Sequence, residues 1–69
     1  MTVKEIRCHT NLSQREFAEK YNIPLGTVEK WENGEKSPTK NMLNYIKFQV
    51  AKDYPHLRYF IFKEDIFEL

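Results

Sequence analysis

The feature that most constrains this chain is a bend, Asn22-Ile23-Pro24, set between two short runs with helical spacing. Ahead of the bend, Ser13 and Glu16 have the three-residue offset of a capping box, and Phe17, Ala18 and Tyr21 follow as one apolar stripe. Asn tolerates the left-handed conformation of a helix C-terminus, while Pro24 lacks an amide proton and pushes Ile23 toward extended geometry, so the helix has to stop at Asn22. Pro24 is suited to open the next helix, which runs to about Glu32 and is ended by Asn33-Gly34. Three or four residues separate the two helices. So tight a connection makes them cross at a steep angle.

Taken in register, Phe17 and Tyr21 from the first of these helices, Ile23 from the bend, and Val28 and Trp31 from the second close into one small core. Ala18 is small where the helices approach closely, and Asn22 sits where the turn needs positive φ. Residues from Ser13 to Glu32 therefore read as a helix-turn-helix. Upstream, Thr2 and Glu5 form another capping box, for a helix ending near Thr10-Asn11. Downstream, Thr39 caps a helix to about Asp53, with Met42, Leu43, Ile46 and Val50 along one side and Tyr45 and Phe48 off that line. Tyr54-Pro55 ends it.

In the last segment, HLRYFIFKEDIFEL, Leu57, Tyr59 and Ile61 alternate with Arg58, Phe60 and Phe62, which favours a strand; Phe62, Ile66 and Leu69 also share a helical face, which keeps a helix as the alternative. The expected fold is all-α, with four to five short helices, a central helix-turn-helix and a short C-terminal β-strand as an option. Residues 1–54 form the helix-turn-helix domain and 55–69 an aromatic extension.

Sixty-nine residues make one domain that buries only about 60% of its unfolded surface, leaving little room for a catalytic cleft. Formal net charge is +1, divided as +2 over residues 1–50 and −1 over the remainder, so affinity for a polyanion has to come from a few placed cations. No stretch approaches the roughly 20 apolar residues of a membrane span, and the first residues lack the apolar core of a secretion signal, so the expected location is the cytoplasm. Cys8 is the only cysteine, and Cys8-His9 with a distant His56 lacks the paired spacing of a zinc site. Adjacent side chains on a helix point about 100° apart, so Cys8 and His9 do not make a nucleophile and base either. Neither enzymatic activity nor a metal or cofactor is expected.

The run LSQREFAEKYNIPLGTVEKWENGEKSP carries Leu-Ser-Gln entering one helix, Phe-Ala within it, then Thr-Val, Trp-Glu-Asn-Gly and a following Pro. In these features the chain resembles the Xre family of helix-turn-helix regulators, which includes the lambdoid phage repressors, over about residues 2 to 53. Ile-Pro-Leu before Thr27, with the Trp-Glu-Asn-Gly ending, is similar to a subgroup of short bacterial proteins, some of them antitoxins that repress their own operons. The resemblance implies binding to double-stranded DNA, with the second helix of the motif in the major groove. Its outward face would carry Gly26, Lys30 and Asn33, flanked by Thr27 and Glu29; Lys30 would donate to guanine, Glu29 accept from cytosine, and Leu25 meet a thymine methyl. Ser13, Gln14 and Arg15 would meet the DNA backbone, as would the Asn33 side chain, the main chain near Lys36, and Lys40.

Many relatives place Ser or Gln at the start of the recognition helix, whereas Pro24-Leu25-Gly26 supplies almost no hydrogen-bonding side chains there. Direct readout then rests on Thr27, Glu29 and Lys30, with DNA shape supplying the rest. Symmetric sites read by two copies are usual for such a motif, and a homodimer is expected to use Tyr45, Phe48 or the tail residues Tyr59, Phe60, Ile61 and Phe62. A toxin protein is a further partner that the subgroup implies, and an interaction module without DNA binding is the rival reading.

Overall fold

The computed structural model describes residues 1–67, with side chains through Lys63. Five helices follow one another: α1 (Val3–Thr10), α2 (Gln14–Lys20), α3 (Leu25–Asn33), α4 (Lys40–Asp53) and α5 (Arg58–Phe67), with a 3₁₀ turn (Pro55–Leu57) leading into the last. Their ends are set locally. In α1 the Thr2 hydroxyl accepts from the Glu5 amide at 3.2 Å while the Thr2 amide donates to Glu5 Oε1 at 3.1 Å. In α2 the same exchange joins Ser13 and Glu16 at 2.8 and 3.0 Å. Thr39 caps α4 by accepting from the Met42 amide at 3.1 Å. Glu5 and Glu16 are held below the usual carboxylate range, first by the backbone hydrogen bonds of these caps.

Helix exits use left-handed residues, Asn11 (φ 63°), Asn22 (φ 57°) and Gly34 (φ 85°). After α2 the Ile23 amide donates to the Ala18 carbonyl at 2.8 Å and the Asn22 amide to Glu19 at 3.4 Å, the two bonds of a Schellman ending. Asn22 thus turns the chain, and Pro24 (φ −57°, ψ 135°) caps α3 rather than forming its first residue.

One core runs through the molecule: Val3 and Ile6 of α1, Phe17, Ala18 and Tyr21, Ile23 of the bend, Val28 of α3, Ile46, Val50 and Ala51 of α4, and Leu57 and Ile61 at its far end. Phe17 and Tyr21 meet edge to face with centroids 4.9 Å apart. Burial, with the nearby Asp53 carboxylate adding to it, pushes the Tyr21 phenol up. Trp31, expected inside this core, is only half-buried and packs at its edge beside Leu43 and Met1.

The tail corrects the strand expectation. Leu57 and Ile61, four residues apart, are both buried, while Tyr59, which strand alternation would put on their side, is 67% exposed. An aromatic run matches both periodicities. What decides between them is that the described residues contain no strand for it to pair with, and a helix satisfies its own backbone.

Candidate nucleic-acid interface

Val28 is fully buried and orients α3, leaving Gly26, Glu29, Lys30 and Asn33 exposed on its outer side, with Leu25 and Thr27 half-buried beside them. Lys30 forms no ion pair with any described residue, so its ammonium is available to an outside acceptor. The position of α3 is fixed at its other shoulder. Arg7 Nε and one terminal nitrogen donate to the two oxygens of Glu32 at 2.7 and 2.8 Å, and the other terminal nitrogen donates to the Leu12 carbonyl at 2.9 Å. Gln14 Nε2 donates to Glu32 at 3.1 Å. One carboxylate, 5% exposed, thereby ties α1 and the first residue of α2 to the last turn of α3. Arg7's bonds hold the Glu32 carboxyl below the usual carboxylate range against the opposing cost of burial, and Gln14 helps; the same bonds push the Arg7 guanidinium up.

Sequence reasoning placed Gln14 among the DNA-facing groups, and its amide is partly committed to Glu32. One hydrogen on Nε2 remains to donate. Ser13 accepts from Glu16, which leaves its own hydroxyl hydrogen free, and Arg15 is exposed next to it. Asn33 is likewise engaged: Nδ2 donates to Glu35 Oε1 and Oδ1 accepts from the Glu35 amide, both at 3.0 Å. The Lys36 amide donates to the Lys30 carbonyl at 3.3 Å, so at this position the exposed ammonium is the freer group. Lys40 is exposed in the first turn of α4. The Gln14–Glu32 bond puts the start of α2 beside the end of α3, and Gln14, Glu29 and Asn33 border one shallow hollow with Lys4 and Glu32. Arg7 was missed, and nothing in its local sequence distinguishes it from the chain's other cations.

A second surface lies on α4 and α5. Phe48 is 64% exposed and its ring stands 5.1 Å from that of Phe62; with Gln49, Ala51, Lys52, Pro55 and Arg58 the two line a groove of about 490 Å³. Tyr45 and Tyr59 are exposed. Of the other tail residues expected at a dimer interface, Phe60 is half-buried between the His9 ring (4.0 Å) and the Lys63 ammonium (4.8 Å). Ile61 belongs to the core and presents nothing to a partner. No described helix is long and apolar enough to cross a membrane, and no described group of His, Cys, Asp or Glu is arranged to hold a metal.

Comparison with known proteins agrees with this geometry. A family model described as helix-turn-helix matches residues 3–44, which takes in α1, the motif and the start of α4. Neither the curated proteins nor the solved structures gave a match. The extent of that match, with the order of helices, places the chain in the Xre-like helix-turn-helix family of DNA-binding regulators.

Proposed function

We propose that the protein is a sequence-specific transcription regulator that represses from a double-stranded operator, with α3 in the major groove and the starts of α2 and α4 against phosphate. The observation that carries this reading is the outer face of α3, where an exposed Lys30, with no ion-pair partner among the described residues, stands on a helix locked in place by Arg7, Glu32 and Gln14. The test titrates the protein into a labelled duplex from its own upstream region, and into duplexes it selects from a random pool, at two salt concentrations. Affinity is expected to fall with salt, and Lys30→Ala to weaken binding to the selected site about tenfold while changing binding to bulk DNA far less. Absence of binding at low salt to every duplex would instead favour an interaction module.

The reading includes a second copy, because a single short helix reads only a half-site. The α4–α5 groove is its proposed seat. Lys52 and Arg58 rim the groove, and the largely exposed Phe48 ring beside Phe62 gives it an apolar face. Two copies meeting on this groove across a two-fold axis would cover the exposed rings of Phe48 and Tyr59. Phe48→Glu should convert a dimer in sedimentation equilibrium to a monomer with unchanged helicity; a wild-type monomer at all concentrations overturns this seat.

A further inference from the structure

We infer that Gly26 is a close-approach position, where bare helix backbone lies directly against DNA and a side chain would hold α3 away. This rests on the DNA-binding reading above and says how the start of α3 makes its contact. The two glycines of the chain differ. Gly34 has φ 85°, a conformation that side-chain-bearing residues rarely adopt, so its own backbone demands glycine. Gly26 is the second residue of a nine-residue helix with no positive φ, and a Cβ built there meets nothing within 4 Å. Neither conformation nor packing within the described structure calls for it.

Yet glycine is the poorest helix former after proline, and here it sits at a weak end. No side chain caps α3, whereas Thr2, Ser13 and Thr39 each cap their helices. The position also falls on the exposed side of α3, four residues before Lys30 and seven before Asn33, so it belongs to the stripe that would enter the groove. Leu25 and Thr27 on either side are half-buried, and at the exposed Gly26 itself the helix presents bare main chain. Close packing of backbone against the duplex then takes the place of the hydrogen-bonding side chains that Pro24, Leu25 and Gly26 do not supply.

The consequence is a substitution with opposite effects on folding and binding. Gly26→Ala, measured beside Gly26→Leu on the full chain, should raise Tm by about 4 °C, since alanine fits the helix and restricts the unfolded chain. The same change should weaken binding to the duplex selected by the wild type at least tenfold, and Gly26→Leu should weaken it further. A Gly26→Ala protein that melts higher and binds as tightly as wild type overturns the inference while leaving the DNA-binding reading intact. A lowered Tm overturns it from the other side, by showing that the chain itself has no room for the methyl group. Wild-type protein that selects no duplex removes the DNA-binding reading, and this inference with it.

Discussion

Two residues of α3, Lys30 and Glu32, differ in almost every physical respect. Glu32 accepts two hydrogen bonds from Arg7 and one from Gln14 and is nearly shut off from water. Lys30, two positions earlier and therefore turned to another side of the helix, is exposed and pairs with no described residue. The contrast separates labour along a single helix: one shoulder fixes where α3 stands, and the outer face is kept uncommitted for what it meets. A residue that holds the helix should affect the fold first and binding only through it. A residue on the open face should do the reverse.

The largest effect is expected at the fixed shoulder. Glu32→Ala leaves the mostly buried Arg7 guanidinium without its carboxylate and Gln14 without its acceptor. Breaking one side of such a pair should cost about 3 kcal/mol, a large share of the stability of a chain this small. Thermal or urea denaturation followed by circular dichroism measures it. A loss below about 1 kcal/mol would mean that the network does not set the position of α3 and would erase the contrast with Lys30.

A smaller and graded effect comes from protons. Because Arg7 holds the folded Glu32 carboxyl below its ordinary value of 4.5, this group stabilises the fold at pH values above 4.5 and loses that contribution as pH falls through its lowered folded value. Glu5 and Glu16 act with the same sign through their capping boxes. The Tm should therefore be flat near neutrality and decline on the acid side, and Glu32→Gln should make the decline shallower. An equally steep decline in that variant would assign the acid sensitivity to the caps alone.

The same contrast explains what could be read from the sequence. Caps and exits were legible, because Thr2 with Glu5, Ser13 with Glu16, Asn22, Gly34 and Thr39 each satisfy backbone groups within a few residues of themselves. The open face of α3 was legible too, since helical geometry places Gly26, Lys30 and Asn33 opposite Val28. The Arg7–Glu32 pair spans 25 residues, and no local pattern says which of the chain's acids Arg7 will meet. That distance also hid the partial commitment of Gln14. The tail was ambiguous for a related reason: its aromatic residues fit either period, and the choice depended on whether another strand existed anywhere in the fold. Trp31 was placed too deep because helical phase gives a direction but not the depth of neighbouring helices.

The smallest effect on folding is expected at Lys30, and it sharpens the comparison most. Its side chain is exposed, makes no ion pair with a described residue and lies outside the core, so Lys30→Ala removes no contact that the folded chain depends on. Alanine is also a slightly better helix former, so the change in unfolding free energy should lie within about 0.5 kcal/mol of zero. The roughly tenfold loss expected on the selected duplex corresponds to about 1.4 kcal/mol and would then belong to the contact itself, measured in the same buffer on protein of unchanged stability. If Lys30→Ala instead lowered stability by more than about 1 kcal/mol, its weaker binding would report on folding, and the outer face of α3 would no longer be distinct from the shoulder that Glu32 holds.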